Sequence, residues 1–394
     1  MDSVSDGLLA LNKAVDFNMN KTVILQTGTL SIHVERTDIP LEDLFGFGSR
    51  NNPKRGYLFI SKVLGKHYPN RPSKMREIYR IFAQKLSLLY IRSPVVFVAL
   101  AETATGLGQG IYEEFMLANP DTESVFIHTT RYILTQKQAF TFDETHSHAT
   151  DHILYEPIEP ADKEIFYHSR TLILIDDELS TGNTFINLIL RFKKVNPHIE
   201  QVIFVVLTNW INQEKYQVIL DKIQCNMKIV SILDGHFEFE PNPNFQHITN
   251  IDSTGNRNDK NRYLKKNWGR LGYRDIPEVD MLSCINHMNF LNNDDTILVL
   301  GTGEFLFFPF KLAEELENQG FTIWFQSTTR SPILIDNDIH YKIEFEDNYF
   351  DQIPNFVYNV YPNHYDQVIV CYETNQLPVT HDLIEKLNAH PKFF

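Results

Sequence analysis

The stretch LILIDDELSTGNT, residues 172–184, brings acidic and hydroxylic side chains close together. Four apolar residues, typical of a buried strand, end at Asp176 and Asp177, and a helical pattern, FINLILRF, follows the stretch. The turn between strand and helix consists of Ser180, Thr181, Gly182, Asn183 and Thr184. Such a turn directs backbone N–H groups, hydroxyls and the positive end of a helix dipole to one place. We interpret it as a phosphate-binding loop beside two acids that bind sugar hydroxyls, directly or through a divalent cation.

Two other phosphate-binding motifs do not fit this stretch. A P-loop needs a Gly-Lys-Ser/Thr sequence that is missing, and a dinucleotide fingerprint needs several glycines where only Gly182 is present. The alternative without a ligand is an ordinary strand-to-helix turn with an acidic, capped helix start. Asp-Asp followed by Ser-Thr-Gly would by itself favour the turn without a ligand. The thirteen residues taken together favour a ligand site.

Composition limits the classes of function. The chain has 394 residues, 43% of them hydrophobic, which is enough for two domains with cores of their own. Its net charge of −14 and the lack of a basic block argue against a nucleic-acid partner and favour small-molecule substrates. The few cysteines form no CxxC pair, which argues against disulfides and structural zinc. No leader pattern or membrane-length apolar run occurs, so we predict a cytoplasmic protein with no membrane contact.

Short apolar runs alternate with amphipathic segments in the first part of the chain. The runs are continuous, as expected for strands buried on both faces of a parallel sheet. They lie at 95–101, 125–130, 171–176, 201–208 and 228–233. Helical periodicity occurs between them, in IYEEFMLAN, FINLILRFKKV and EKYQVILDKI, and before them in KMREIYRIFAQKLSLLY. This order predicts an open α/β sheet with flanking helices.

A second α/β pattern follows the polar stretch FEFEPNPNFQHITNIDSTGNRNDKNRY, which indicates a linker. The two patterns have the same order of segments. The first part reads VFVALAETATGLG, a helix and VFIHTTRYIL, and the second part reads ILVLGTGEFLFF, a helix and WFQSTTRSPIL. The separation from Leu100 to Arg131 differs by one residue from that between Leu300 and Arg330. We interpret the second part as a degenerate copy that lost the acid pair and the Gly-containing loop. Chance similarity between two α/β units is the alternative.

Residues 172–184 closely resemble the phosphoribosyl pyrophosphate (PRPP) signature of the type I phosphoribosyltransferases. That signature has four apolar residues, two acids, two apolar residues, and small or hydroxylic residues around a glycine. The resemblance implies that Asp176 and Asp177 act on the ribose, with Mg²⁺ held through substrate or water, and that 180–184 binds the 5′-phosphate. Glu178 departs from the pattern, because the family usually carries an aliphatic residue there.

Two further segments agree with the resemblance. AETATGLG follows a strand, as the family's pyrophosphate loop does. The residues implied to line that loop are Glu102, Thr103, Ala104 and Thr105. Arg131 follows the next strand, where a cation could neutralise the diphosphate, although an isolated Arg is more often a surface residue.

A polar stretch, QKQAFTFDETHSHATDH, stands where the family has a flexible lid that excludes water. Its histidines are His146, His148 and His152. HSHxxxH is not a convincing zinc spacing without a further ligand, so we favour lid residues that donate to pyrophosphate over a metal cluster.

The resemblance becomes narrower in the second part of the chain. STTRSP, residues 327–332, resembles the namesake motif of the TRSP domain. That domain follows one phosphoribosyltransferase subfamily in bacterial operons linked to tellurite resistance and stress response. Residues 45–69 resemble the same subfamily's N-terminal region, and the similarity spans roughly 25–375. For this subfamily the implied role is synthesis of a nucleotide-like metabolite.

Three cations, Arg50, Lys54 and Arg55, lie among glycines and aromatic residues in FGFGSRNNPKRGYLF. Such a group could stack on and pair with a base or an anionic group. In the family a variable hood holds the acceptor base, and this segment could supply it. A solvated basic turn before a strand is an equally favoured alternative.

The second part of the chain also has polar residues at corresponding strand ends. We predict a second anion pocket there, formed by Thr302, Gly303, Glu304, Arg330 and Ser331. Without paired acids this pocket would not activate a ribose, and it could bind a phosphorylated product. A purely structural second domain is the alternative.

These observations together predict an N-terminal extension at 1–24, a phosphoribosyltransferase domain at 25–240, a linker at 241–265 and a smaller TRSP domain at 266–394. The predicted activity is Mg²⁺-dependent transfer of the phosphoribosyl group between PRPP and a base, with release of pyrophosphate. The alternative function is a PRPP or nucleotide sensor without turnover in a stress-response system. A homodimer and operon-encoded protein partners are implied by the resemblance alone.

Overall fold

The computed structural model describes residues 19–52, 55–142, 152–246, 260, 264 and 266–394. The helices within these ranges are α1 (Leu41–Leu44), α2 (Pro72–Ser87), α3 (Ala104–Ala118), α4 (Pro160–His168), α5 (Asn183–Val195), α6 (Gln213–Ile223), α7 (Met281–Asn286), α8 (Phe307–Asn318) and α9 (Leu383–Leu387). The strands of the first part are β1 (Met19–Leu25), β2 (Gly28–Thr37), β3 (Phe45–Ser49), β4 (Tyr57–Ser61), β5 (Val95–Ala99), β6 (Ser124–His128), β7 (Gln138–Phe142), β8 (His152–Tyr155), β9 (Thr171–Leu179), β10 (Gln201–Asn209) and β11 (Asn226–Pro241). Those of the second part are β12 (Thr296–Gly301), β13 (Thr322–Ser327), β14 (Lys342–Glu346), β15 (Pro354–Tyr358), β16 (Gln367–Tyr372) and β17 (His390–Phe393).

The larger sheet has seven strands in the order β1-β2-β11-β10-β9-β5-β6. The five strands from β11 to β6 run parallel, and β1 and β2 extend one edge in antiparallel pairing. The apolar runs of β5 and β9 are buried, because helices cover both faces of the sheet. The predicted open, mostly parallel α/β sheet is therefore confirmed.

Helices divide between the two faces of this sheet. On one face α2 and α3 pack together and contribute Ile78, Phe82 and Ile111 to a core with the strands. On the other face α4, α5 and α6 contribute Phe166, Phe192 and other residues to a separate core. The carboxyl ends of β5 and β9 therefore remain as the edge where polar loops can gather.

The smaller sheet has four parallel strands in the order β13-β12-β16-β17. Four strands of the larger sheet have the corresponding order β6-β5-β9-β10. A crossover helix, α3, joins β5 to β6, as α8 joins β12 to β13 in the smaller sheet. A two-stranded hairpin also follows the second strand in each case, β7–β8 in one and β14–β15 in the other. This agreement in topology supports the interpretation of the second unit as a degenerate copy.

The two units share one hydrophobic core. Helix α8 of the second unit packs against α2 and α3 of the first, with the Tyr79 and Phe310 rings 5.2 Å apart between centroids. Trp268, which precedes the second unit, packs on Phe308 at 4.2 Å. A common core of this kind fixes the position of one unit against the other.

A buried cluster of charges lies in the second unit and contacts the first through Glu304, which accepts a hydrogen bond from the Arg131 backbone N–H at 2.9 Å. Arg270 donates from Nε to Glu304 at 2.9 Å and from its terminal nitrogens to Glu373 at 2.7 and 2.9 Å. All three side chains are almost fully buried. Burial opposes ionisation of Glu304, but the charge of Arg270 lowers the pKa of Glu304 below its usual value. Glu304 is therefore ionised beside Arg270, and removing one member of the cluster would leave a buried group without its partner.

The structure bears on the predicted domain boundaries at two places. β1 begins at Met19, inside the predicted extension, and pairs with β2 in the larger sheet. Most of the predicted linker lies outside the described residues, but Lys260 contacts Asp351 at 2.5 Å and the Tyr349 carbonyl at 2.9 Å. The division into four segments remains a prediction. No described helix is both long and apolar enough to cross a membrane.

Replacing Arg270 with alanine should destabilise the fold by about 3–5 kcal/mol, because two buried carboxylates would lose their common cation. The matched control is Arg170→Ala, which removes an exposed pair with Glu200 and should cost less than about 1 kcal/mol. Urea unfolding followed by tryptophan fluorescence measures both. Equal losses in the two variants would contradict a coupled buried cluster.

Candidate active site

The loop after β9 owes its shape to Gly182, the residue immediately before α5. Its φ of 73° lies in the left-handed region, which favours glycine. A Cβ at this position would also lie 2.6 Å from Cδ1 of Ile219. The chain therefore turns sharply from strand to helix, and the loop faces a cleft. The loop residues that line this cleft are Ser180, Thr181, Gly182 and Thr184.

The first turn of α5 contains no acidic residue, and no side chain caps it among the described residues. The Asn183 amide is 3.4 Å from the Thr181 hydroxyl within the loop. Since the first amides of a helix have no intrahelical carbonyl partner, this helix start favours an anion in the cleft.

The two acids lie at the end of β9, on the same side of the cleft as this loop. Asp176 accepts a hydrogen bond from the Asp177 amide at 2.9 Å, and both residues line the cleft. Burial, and then the negative charge of Glu178, raise the pKa of Asp177 above its usual value. A cationic ligand group or metal ion beside these acids would relieve that cost.

Glu178, the departure from the family signature, turns toward residues 45–59. These residues are called the hood segment, after their predicted role in holding an acceptor base. Its carboxylate accepts a hydrogen bond from Arg55, and the Arg55 guanidinium lies 5.1 Å from the centre of the Tyr57 ring. Although burial opposes the charge of Arg55, Glu178 raises the pKa of Arg55 further. The pair connects the loop before β4 with the end of β9. Arg50 and Arg55 both line the cleft, and Lys54 lies outside the described residues.

The segment after β5 reaches the cleft only with its first residues. Glu102 and Thr103 line the cleft, and the Ala101–Glu102 peptide bond is cis. Ala104 and Thr105 are fully buried at the start of α3, where the Thr105 hydroxyl donates to the Glu304 carbonyl at 3.0 Å. The prediction that all four residues line the cleft is therefore corrected: the helix begins two residues earlier than a four-residue loop requires.

Sequence reasoning missed Lys66, which is buried and anchors the segment after β5. Its side chain is 2% exposed, and its Nζ lies 2.5 Å from Glu102 and 2.8 Å from the Thr328 carbonyl of the second unit. A single lysine in an aromatic segment carries no recognisable pattern, so only the fold could identify it. Lys66 holds Glu102 at the edge of the cleft and joins three parts of the chain there.

Arg131 and His152 also line the cleft. The backbone N–H of Arg131 donates to Glu304 at 2.9 Å, and its guanidinium lies 3.4 Å from Nε2 of His152. His152 is further held at Nδ1 by the Thr129 hydroxyl at 2.9 Å. His152 therefore supports Arg131, while His146 and His148 lie outside the described residues. Within the described ranges, no group of three or more His, Cys, Asp and Glu residues is placed to hold a metal ion.

The residues predicted to form a second anion pocket lie near one another, with Gly303 and Arg330 both close to the Tyr132 hydroxyl. The Thr302 hydroxyl donates to the Cys371 carbonyl, the Gly303 amide donates to the Thr328 hydroxyl, and Glu304 belongs to the buried charge cluster. Arg330 and Ser331 instead line the same cleft as Asp176. Arg330 and Ser331 therefore open into the first site, Thr302, Gly303 and Glu304 are bonded within the protein, and a separate pocket remains a prediction.

One cleft, of about 210 Å³, thus collects acids from β9, the loop before α5, the segment after β5, arginines from the hood, and a loop of the second unit. Carboxylates and guanidinium groups both line it, and Arg55 is already paired with Glu178. Such an arrangement suits a ligand that is strongly anionic at two points and carries hydroxyls between them.

Sequence comparison assigns the class of protein. The family model described as a phosphoribosyl transferase matches residues 44–236, and the fold and site agree with an enzyme of this pentosyltransferase class. A second model, described as the TRSP domain C-terminal to that domain, matches residues 270–387. The chain therefore belongs to the family in which a phosphoribosyltransferase domain is followed by a TRSP domain, as the sequence motifs predicted. No curated protein shows a significant sequence match.

Solved structures of phosphoribosyltransferases are similar to about half of the chain. Adenine phosphoribosyl transferase from Trypanosoma brucei is 13% identical, with 49% of this chain and 77% of that chain covered and a TM-score of 0.35. The enzyme from Giardia lamblia is 15% identical, with 50% and 96% covered and a TM-score of 0.33. Orotate phosphoribosyltransferase from Francisella tularensis is 14% identical, with 48% and 80% covered and a TM-score of 0.30.

Asp177→Asn should increase the free energy of unfolding by about 1 kcal/mol near neutral pH, because it removes a buried negative charge beside Glu178. Because the pKa of Asp177 is raised in the folded state, Asp177 becomes protonated and loses its destabilising charge as the pH falls through that pKa. The stability gain of Asp177→Asn over wild type should therefore shrink in acid. Urea unfolding across a pH series measures it. Asp121→Asn, at an exposed turn, is the control and should change nothing. A variant less stable than wild type would contradict the account.

Proposed function

We propose that the protein transfers the 5-phosphoribosyl group of PRPP to a nitrogenous acceptor and releases diphosphate. The observation that carries the proposal is the convergence of the Asp176–Asp177 pair, the 180–184 loop and Arg131 in one cleft. Phosphoribosyl transfer is the activity of the family, while PRPP as donor, the metal ion and a base as acceptor are the parts proposed here.

The loop at 180–184 would bind the 5′-phosphate. Its hydroxyls and the start of α5 supply hydrogen-bond donors, and the left-handed Gly182 keeps the backbone close to the ligand. Binding energy gained at this phosphate, away from the reacting carbon, would orient the ribose for reaction.

The acids would act on the ribose. The bond between C1 and the diphosphate oxygen breaks with its electron pair leaving on the diphosphate, so C1 becomes cationic. Asp176 and Asp177 would hold the hydroxyls and favour this positive charge. The acceptor nitrogen then supplies the electron pair of the new C1–N bond and gives up its proton.

The donor set at the end of β9 fits Mg²⁺. Carboxylate oxygens are the ligands that this ion prefers, and it usually binds one or two of them together with substrate oxygens and water. Asp176 and Asp177 would provide that contact, and the raised pKa of Asp177 agrees with a site that favours a nearby cation. When bound, the ion would neutralise part of the diphosphate charge.

The diphosphate would lie between Arg131 and the segment at Glu102 and Thr103. Arg131 supplies a guanidinium whose position is fixed through His152 and Glu304. Lys66 keeps the Glu102 carboxylate paired, so that this acid does not repel the leaving group. Stabilisation of the departing anion by fixed donors is a large contribution to catalysis in such sites.

Calorimetry with PRPP and Mg²⁺ tests the donor. Wild type should bind, and the double variant Asp176→Asn, Asp177→Asn should lose at least about tenfold in affinity, because it loses two charged contacts. Asp121→Asn should bind as wild type does. Release of diphosphate should then require an acceptor from a panel of bases. Tight binding with no release for any base would contradict a transferase and leave a PRPP sensor.

Gly182→Ala should weaken binding of ribose 5-phosphate by about tenfold, because a left-handed alanine costs about 1–2 kcal/mol and its Cβ would displace the loop. Gly320→Ala is the matched control: Gly320 also has a positive φ, at 96°, but no atom within 4 Å of a built Cβ. Both variants should lose stability, Gly182→Ala more because its Cβ also meets Ile219, and only Gly182→Ala should lose affinity. Unchanged affinity in both would remove the loop from the binding site.

A further inference from the structure

The second unit forms part of the cleft wall. The loop after β13 contributes Thr329, Arg330, Ser331 and Pro332, which face the same space as Asp176. Nothing in the family descriptions assigns a role to this loop. Its contacts show how it is held and what it offers to a ligand.

Backbone and hydroxyl contacts fix the loop. Thr329 and Phe356 exchange two backbone hydrogen bonds, at 3.0 and 2.8 Å. The Tyr358 hydroxyl donates to the Ser331 carbonyl at 2.7 Å and accepts from the Ile333 amide at 2.8 Å. Ile333 also forms a bridge with Arg50 of the hood segment. The loop is therefore held against both units, as a preorganised binding wall requires.

Arg330 presents a cation to the cleft that Arg131 also lines. Its guanidinium is 5.1 Å from the centre of the Tyr132 ring, next in the chain to Arg131, and donates to the Tyr132 hydroxyl at 2.8 Å. Asp351 accepts from Arg330 at 3.1 Å but lies closer to Lys260, at 2.5 Å. One carboxylate thus serves two cations, while Glu102 and Glu304, the other acids that act on Arg330, pair with Lys66 and Arg270.

Two buried polar atoms on the same wall lack partners among the described residues. They are Nε2 of His67 and the hydroxyl oxygen of Ser331, and both residues line the cleft. Burial, together with the charges of Lys66 and Arg50, lowers the pKa of His67 to about 3, so its imidazole is neutral at physiological pH. Buried polar atoms without partners cost stability, and because both atoms are covered, a ligand would bond to them only after a small shift of these side chains.

We propose that the TRSP domain completes the transferase site within the same chain: Arg330 binds the diphosphate of the donor opposite Arg131, with Ser331 and His67 as further hydrogen-bonding groups. This inference rests on the proposed PRPP-dependent function. It gives the degenerate copy a direct role in the reaction, since it supplies a cation to the leaving group.

Calorimetry with inorganic pyrophosphate and Mg²⁺ tests the inference on the full chain. Arg330→Ala should weaken pyrophosphate and PRPP binding by about 10- to 100-fold, because a charged contact is lost. Ribose 5-phosphate, which has no diphosphate, should bind within about twofold of wild type. Arg330→Lys should show a smaller loss, since lysine keeps the charge without the planar fork. Arg274→Ala is the control, because Arg274 is partly exposed and pairs with Asp162.

The outcomes separate this inference from the proposed function. If wild type binds PRPP and Arg330→Ala binds PRPP and pyrophosphate equally well, the inference is wrong and the proposed function stands. If Arg330→Ala weakens ribose 5-phosphate as much as pyrophosphate, the effect is structural and the inference is also wrong. If wild type binds neither PRPP nor pyrophosphate, both fail. Selective loss of the two diphosphate ligands supports the inference.

Discussion

Strands β5 and β9 are hydrogen-bonded neighbours in the parallel sheet, with Ala99 opposite Ile175, and the geometry of the cleft depends on this pairing. Parallel strands end at the same edge, so the loop after β5 and the acids after β9 must meet there. The strands on either side and the packed helices keep the two strand ends in place. The opposite charges that phosphoribosyl transfer needs are therefore brought together by the backbone, before any side chain is positioned.

The second unit repeats this arrangement of strands without its acids. Its loop after β12, which corresponds to the segment after β5, is directed inward: Glu304 joins Arg270 in the buried cluster and accepts the Arg131 amide. Its loop after β13 opens toward the first unit instead. The second unit thus supplies contacts that hold Arg131, and residues of both units line one cleft.

The sequence predicted those parts of the molecule that rest on local patterns. Continuous apolar runs identified the parallel strands, and the thirteen residues from 172 to 184 identified the loop, because both signals lie within one short segment. Contacts between distant segments left no such signal. Lys66 contacts Glu102 and the second unit only in the folded chain. For Arg330, the neighbouring sequence does not tell whether the side chain faces a separate pocket or the first cleft. The pairing of Glu178 with Arg55 likewise depends on the path of the hood segment.

A structure of the protein with PRPP and Mg²⁺ bound tests the central claim most directly. The account predicts the 5′-phosphate on the loop at 180–184, the ribose hydroxyls at Asp176 and Asp177, and the diphosphate at the end of the cleft lined by Arg131. A ligand bound outside this cleft, or one whose 5′-phosphate lies away from Gly182, would contradict it.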